Sequence, residues 1–194
     1  MRRRVKYLKL SSSTGAIMSS EKRGEFRLVL YMVPEEPSRI KVRIWRRLRK
    51  LGGIYPRASV CLIPCMPEGE SQLKDIVNEI RSVGKAVVLK VEPLSSIDEA
   101  QLLQWFKASL EREYEEILEE CQEFLDEIER NIATGNMSAE EAEELEEMLN
   151  ALKRWFDKVK ARDWLGSEKR KTVNDMLLRC EEELLKFTEK AMDK

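Results

Sequence analysis

The stretch FRLVLYMVPEEPSRIKVRIWRRLRKLGGIYPRASVCLI, residues 26–63, decides the fold of this chain. It opens with an almost unbroken run of apolar, β-forming residues that ends at Val33. Such a run predicts a central strand buried on both faces, because a strand with one solvated face alternates apolar and polar residues. Pro34 and Pro37 then end the strand.

The next part of the stretch predicts an amphipathic helix. Ser38 can cap a helix that runs to about Leu51, and Gly52-Gly53 ends it. At about 100° per residue, the apolar side chains fall on one side of this helix and the basic ones on the other. We expect the apolar side to pack on the sheet. It consists of Ile40, Ile44, Trp45, Leu48 and Leu51.

Four more elements follow this helix. Residues 54–55 and 59–63 predict two short strands around a turn at 56–58. Residues 69–83 predict a second helix, and residues 86–91 a last strand. The order β-α-β-β-α-β is that of a ferredoxin-like domain, with two helices on one face of a four-stranded antiparallel sheet.

From Ser96 onward the apolar residues recur in steps of three and four, which predicts helices. Gly135-Asn136 and Gly166-Ser167 divide this part into three helices. Ser138 and Glu141 have the spacing of a capping box at the start of the second. Short loops between long helices indicate antiparallel neighbours, so we expect an antiparallel helical bundle without strands.

The chain is therefore predicted to be of the α+β class, with three parts. Residues 1–24 are expected to be a disordered basic arm, in which Met18 is an alternative start. Residues 25–94 form the ferredoxin-like domain, and residues 95–194 a helical domain of about three long helices. Since no apolar run approaches the roughly 20 residues of a membrane span, we expect a cytoplasmic protein that does not bind membranes.

The charges of the chain are divided unevenly along the sequence. Residues 1–57 carry 16 Lys and Arg against four Asp and Glu, whereas residues 58–194 carry 19 against 32. The first part can therefore bind a polyanion that the second part would repel.

The sequence lacks the residues of a recognisable enzyme. It contains no histidine, which is the commonest general base and a frequent metal ligand. No phosphate-binding loop, dinucleotide-binding motif or nucleophile elbow occurs. Between residues 111 and 149 there are 16 carboxylates against two arginines, a density typical of a solvated acidic surface. We therefore predict no catalytic residues and no enzymatic activity.

The four cysteines do not have the spacing of a metal site. Zinc bound without histidine requires four thiolates, and Cys61, Cys65, Cys121 and Cys180 match no usual zinc pattern. We expect reduced thiols that serve as small hydrophobic residues, with no metal and no cofactor.

The basic side of the first helix is the sharpest functional feature. Several cations on one surface are what the binding of nucleic-acid phosphates requires. The candidate nucleic-acid-binding residues are Arg39, Lys41, Arg43, Arg46, Arg47, Lys50 and Arg57. The alternative is that these cations pair with the acidic helices of the same chain or of a second copy.

A second candidate site is the segment KARDWLG, residues 160–166. Arg162, Asp163 and Trp164 place an aromatic ring beside a basic and an acidic group, which is unusual for a loop between helices. The structural alternative is that Trp164 and Leu165 close the end of the bundle while Arg162 pairs with Asp163.

Residues 33–64, VPEEPSRIKVRIWRRLRKLGGIYPRASVCLIP, resemble the start of the N-terminal region of ChrB-type chromate-resistance regulators. In that family a strand ending in proline precedes a P-S-R-x-R-V-x-x-W-R-x-L-x-x-L-G helix and a strand ending in L-P. The acidic stretch REYEEILEECQEFLDEIER and the KARDWLG segment are also similar, so the resemblance covers about residues 25–192. Lys41 replaces an arginine of the motif. The other matching positions are Pro37, Ser38, Arg39, Val42, Trp45, Arg46, Leu48, Leu51 and Gly52.

The resemblance implies a cytoplasmic role in chromate or other oxyanion resistance, through transcriptional regulation. Full-length members carry a further C-terminal domain, to which metal sensing is usually attributed, beyond the region that these residues resemble. The α/β core is also similar to part of the PaaX-type repressors and to small CRISPR adaptation nucleases. Those nucleases have an aspartate at the end of the first strand, where this chain has Tyr31-Met32-Val33-Pro34.

Two functions remain open from the sequence. The first is a regulatory protein that binds duplex DNA through the basic helix and acts as a homodimer. The second is an adaptor whose basic helix and acidic helical bundle mediate assembly with another protein, for example a separate effector-sensing protein, without binding nucleic acid.

Overall fold

A computed structural model describes residues 25–34, 38–66 and 69–192. The predicted arm at residues 1–24, with Met18, lies outside these ranges, as does Pro37. Within them the fold is mixed α+β, with one four-stranded antiparallel sheet and five helices. In chain order the elements are β1 (Phe26–Met32), α1 (Ser38–Lys50), β2 (Ile54–Arg57), β3 (Val60–Pro64), α2 (Gly69–Val83), β4 (Lys85–Val91), α3 (Ser96–Thr134), α4 (Ala139–Lys160) and α5 (Lys169–Met192).

The sheet has the strand order β2-β3-β1-β4 and places β1 in the middle. Val29 of β1 is opposite Cys61 of β3 on one side and Val88 of β4 on the other. β2 is longer than predicted and includes Pro56, so the turn lies at residues 58–59. An edge strand tolerates a proline, and the pairing of β2 with β3 shifts register around this position.

One face of the sheet is covered by α1 and α2. Val29 and Tyr31 of β1 form a buried cluster with residues of both helices. Both helices contribute apolar residues from one side only, as their sequence periodicity predicts. The helix residues of the cluster are Ile44, Leu48, Leu73, Ile76, Val77 and Ile80.

The opposite face is covered at one end only. There the ring of Phe26 stacks on that of Phe106 from α3, with centroids 5.5 Å apart. Towards the other end of β1 this face is open, and Met32 is 65% exposed. The prediction that β1 is buried on both faces is therefore wrong for its second half, because α3 crosses the sheet near Phe26 and leaves Met32 uncovered.

The three remaining helices pack on one another around a single apolar core. The side chain of Ser95 caps α3, and Gly135 ends it in a left-handed conformation with φ of 73°. Ser138 caps α4 by accepting a hydrogen bond from the backbone N–H of Glu141. The Glu141 carboxylate accepts bonds from Asn131 and Asn136, which closes the loop between the helices. No helix in the described ranges has the length and apolar character needed to cross a membrane.

Candidate nucleic-acid interface

A row of cations lies on the side of helix α1 that faces solvent. Ile44 and Leu48 are fully buried against the sheet and α2, and they fix the rotation of the helix. At about 100° per residue, the side opposite to them carries three residues within about 40° of one another. All three are exposed, and none forms an ion pair within the described ranges. We call this set the outward row: Arg39, Arg46 and Lys50.

Two further arginines of α1 are bound within the chain. Arg43 Nη2 lies 2.5 Å from Glu79 Oε1 of α2, and Arg47 Nη1 donates a hydrogen bond to Glu79 Oε2. The Glu79 side chain is only 18% exposed. Arg43 and Arg47 therefore lie on the flank of α1 that faces α2. The sequence placed them with the outward row and gave no indication of Glu79 as their partner.

A third arginine lies on the other flank of α1. Arg49 donates hydrogen bonds to Ser109 Oγ at 3.1 Å and to Glu113 Oε1 at 2.9 Å, both in α3. This contact connects α1 to the helical part of the chain. Arg49 thus pairs with an acidic helix, as the alternative from the sequence expects, whereas Arg43 and Arg47 pair with α2 instead.

The last two candidate residues are exposed but lie outside the outward row. Lys41 is exposed near the start of α1, and Arg57 is exposed at the end of β2. The structure therefore retains five of the seven predicted nucleic-acid-binding residues as exposed cations outside the Glu79 contacts. They are Arg39, Lys41, Arg46, Lys50 and Arg57.

The prediction that Trp45 belongs to the core is wrong. Its side chain is 46% exposed, and the guanidinium of Arg49 lies 5.9 Å from the centre of its ring. The reason is rotational, since Trp45 is about 80° around the helix from the midpoint between Ile44 and Leu48. Because Trp45 lies at the edge of the apolar side, its indole is located between the sheet domain and solvent.

The loop between α4 and α5 is part of the junction between sheet and helices. Arg162 donates to Glu113 Oε2 and to the carbonyl oxygen of Arg49, not to Asp163 as expected. Asp163 accepts a hydrogen bond from the hydroxyl of Tyr114 at 3.0 Å and bonds from backbone N–H groups in its own loop. Trp164 packs edge-on against Phe106.

These contacts give the loop a structural role. Burial, with Asp163 close by, raises the pKa of Tyr114, so the phenol stays protonated and donates to that carboxylate. Trp164 and Leu165 belong to the cluster that covers the Phe26 end of the sheet, rather than closing the bundle alone. The three candidate residues of this loop thus have partners within the protein.

The family model described as "Protein ChrB, N-terminal" matches residues 41–194, most of the chain. The chain belongs to the ChrB N-terminal family. This membership suggests a regulatory protein related to chromate resistance. Neither the curated proteins nor the solved structures contain a match.

The positions that resemble ChrB proteins serve different purposes in the structure. Leu48 is buried on the inner side of α1, and Leu51 is buried just after the helix ends. Arg46 is exposed in the outward row. Gly52 has φ of 77°, which favours glycine. A Cβ atom on Gly53 would lie 2.6 Å from Cys61 Sγ, so this position requires glycine for space. The ChrB match begins at Lys41, after the first residues of α1.

The four cysteines of this ChrB family member are buried free thiols. Burial raises the pKa of Cys61 to about 12, although a hydrogen bond with Tyr55 opposes the shift. Cys121 and Cys180 face each other across α3 and α5, with Cys180 Sγ 3.6 Å from the carbonyl oxygen of Cys121. Among the described residues no group of three or more Cys, Asp or Glu side chains is arranged to bind a metal.

Proposed function

We propose that this chain is a regulatory protein of the chromate-resistance type that binds duplex DNA through the outward side of α1 and has no enzymatic activity. The observation that supports this most is the outward row. Three long cations share one narrow side of a helix, and no described carboxylate neutralises them. A phosphate backbone is the partner that such a row fits.

The dimensions of the row suit a duplex. Arg39 and Lys50 are eleven positions apart, which is about 16 Å along the helix axis at 1.5 Å per residue. Arg57 is exposed at the end of β2 and can add a contact. Three or four phosphate contacts would give strong dependence on salt, because each contact releases condensed counterions.

The rest of the molecule restricts how DNA can approach. The acidic stretch at residues 111–149 lies in α3 and α4 and would repel a polyanion. Helix α1 covers one face of the sheet, and the open part of the other face lies on the far side of the sheet from α1. For residues 26–91, the strand order β2-β3-β1-β4 and the two helices on one face support a ferredoxin-like arrangement that presents α1 as an outer layer.

A second function is favoured by a different observation. Three arginines of α1 are bound inside the chain, by Glu79 and Glu113, so part of the basic charge stabilises the fold. In the adaptor alternative, the outward row binds an acidic surface of another protein, such as a separate effector-sensing protein. Both functions use the outward row, and they differ in what it binds, which is duplex DNA in the first and an acidic protein surface in the second.

The experiment is a salt series with duplex DNA from the neighbourhood of the gene. For the native chain, the logarithm of affinity should fall linearly with the logarithm of salt concentration. The variant Arg39→Gln/Arg46→Gln/Lys50→Gln should flatten that slope by about 2.7 and weaken binding to all sequences alike.

The matched control removes three exposed lysines of the helical part, Lys158→Gln/Lys171→Gln/Lys190→Gln. It changes the net charge by the same amount and should leave the slope unaltered. A native chain that binds no DNA even at about 50 mM salt would contradict the proposal and favour the adaptor function.

A further inference from the structure

The open end of the sheet carries an exposed apolar surface. Side chains alternate between the two faces of a strand, so the residues of β1 and β4 that point away from α1 and α2 share one face. Near Phe26 this face is covered by α3. At the opposite end Met32 is 65% and Val87 52% exposed. We call this surface the open patch: Leu30, Met32, Val87 and Leu89.

Two more exposed apolar residues lie where the chain passes from β4 into α3. The chain leaves β4 at Val91 and enters α3, whose residues Leu102 and Leu103 pack near Phe26. Just before and within the first turn of α3, Leu94 is 99% and Ile97 78% exposed. We call Leu94 and Ile97 the α3 tip. Contiguous exposed apolar surface such as the open patch usually marks an interaction site.

The size of the open end fits one more helix. β1 runs seven residues, or about 20 Å between Phe26 and Met32 at 3.4 Å per residue. A helix with its side chains is about 10 Å wide. Since α3 covers the Phe26 half of this length, the Met32 half has room for a second helix beside it.

The charges of the two ends are complementary. Lys85 pairs in register with Met32 at the open end. Asp98 and Glu99 lie in the first turn of α3, at the covered end. If two copies met face to face about a twofold axis perpendicular to β1, Lys85 of each copy would lie towards the acidic turn of the other. An interface between identical surfaces requires this kind of self-complementarity.

We propose that a second copy of this chain covers the open end of the sheet. The α3 tip of each copy packs on the open patch of the other, and the two α3 helices lie side by side between the two sheets. The proposal does not depend on DNA binding, because α1 lies on the opposite face of the sheet and stays exposed in both copies.

The first test measures molecular mass in solution by sedimentation over a range of concentrations, without nucleic acid. The native chain should form a dimer, and Met32→Lys/Val87→Lys should shift it to monomer, because lysine in a closed apolar interface must be desolvated. The control Met148→Lys/Leu185→Lys places the same charges on exposed apolar positions of α4 and α5 and should leave the dimer intact.

The second test identifies which surfaces meet. Ile97→Cys and Met32→Cys chains, mixed and treated with a short bismaleimide, should form a cross-linked heterodimer, since the native thiols are buried. Leu185→Cys mixed with Met32→Cys should not. Thermal unfolding of each variant shows that it is folded.

Two results would overturn the proposal. One is a native chain that stays monomeric at its highest soluble concentration, which would mean that residues 1–24 or another protein covers the open patch. The other is a dimer that survives Met32→Lys/Val87→Lys, which would place the interface elsewhere. Either result leaves the salt series with DNA interpretable, because that experiment changes only α1 and its controls.

Discussion

Arg49 Nη2 in α1 lies 2.9 Å from Glu113 Oε1 in α3. The other oxygen of Glu113 accepts a hydrogen bond from Arg162 of the α4–α5 loop, and Arg162 also donates to the carbonyl oxygen of Arg49. One carboxylate thus holds two guanidinium groups from separate parts of the chain. Because all three side chains are largely buried, this network fixes the helical part against the sheet.

Glu113→Gln should destabilise the protein strongly. The amide cannot neutralise Arg49 and Arg162, so two largely buried cations lose their counterion. We expect the free energy of unfolding to fall by about 3 kcal/mol, as for the loss of one partner from a buried ion pair. Chemical denaturation monitored by circular dichroism measures this change.

The control for that substitution is Glu115→Gln on the same helix. Glu115 is exposed and pairs with Lys169, so its loss should cost about 0.5 kcal/mol or less. Equal losses for Glu113→Gln and Glu115→Gln would show that the junction network contributes no more than a surface ion pair.

Trp45→Ala should cost far less stability than Leu48→Ala, although tryptophan is the larger side chain. Leu48 is fully buried, and its truncation should cost about 2–5 kcal/mol. Trp45 is nearly half exposed, so we expect a loss of about 1 kcal/mol. Urea midpoints of both variants test this. A larger loss of stability for Trp45→Ala would show that the tryptophan belongs to the core.

The stability of the protein should fall at alkaline pH. Burial raises the pKa of Cys61 from 9.0 to about 12 in the folded chain, so the folded state holds a proton that the unfolded state releases. Stability is therefore complete below pH 9 and declines as pH rises towards 12, at about 1.4 kcal/mol per pH unit for one proton. Urea unfolding across this range should show the decline.

Cys61→Ala should make that alkaline decline shallower by about one proton. Other buried groups whose pKa values burial raises contribute to the remaining decline, among them Tyr31, Tyr55, Tyr114 and Cys65. An unchanged pH dependence in the Cys61→Ala protein would mean that this thiol titrates alike in the folded and unfolded states.

The elements of the fold could be predicted because their signals are local. The second helix was predicted at residues 69–83 and lies at Gly69–Val83, where apolar periodicity and a terminal glycine set its limits. The break at Gly135 and the cap at Ser138 also follow from their own residue types. The antiparallel sheet followed from the order and length of such elements.

The partners of side chains could not be predicted, because they depend on how elements pack. Periodicity predicts which side of α1 faces the sheet. It does not predict that α2 places Glu79 beside Arg43 and Arg47. In the same way, Arg162 is adjacent in sequence to Asp163 yet pairs with Glu113. The apolar run of β1 indicates burial, but nothing in its residues shows how far α3 extends across the sheet.

Arg43→Gln/Arg47→Gln should lower the stability of the protein rather than its affinity for DNA. Both arginines contact Glu79, whose carboxylate is mostly buried and would be left without a cation. We expect the free energy of unfolding to fall by about 1.5–3 kcal/mol, since hydrogen bonds to charged groups are worth about that much. The salt dependence of DNA binding should stay close to that of the native chain.

The matched variant for this pair is Arg46→Gln/Lys50→Gln, which removes the same charge from the same helix. Neither residue has an ion-pair partner in the described ranges, so thermal stability should hardly change, while the slope of the salt dependence should flatten by about 1.8. The two double variants thus separate the structural from the functional cations of α1. If Arg43→Gln/Arg47→Gln flattened the slope and left stability intact, the Glu79 contacts would be replaced by phosphate contacts in the complex, and the interface would extend to the α2 flank.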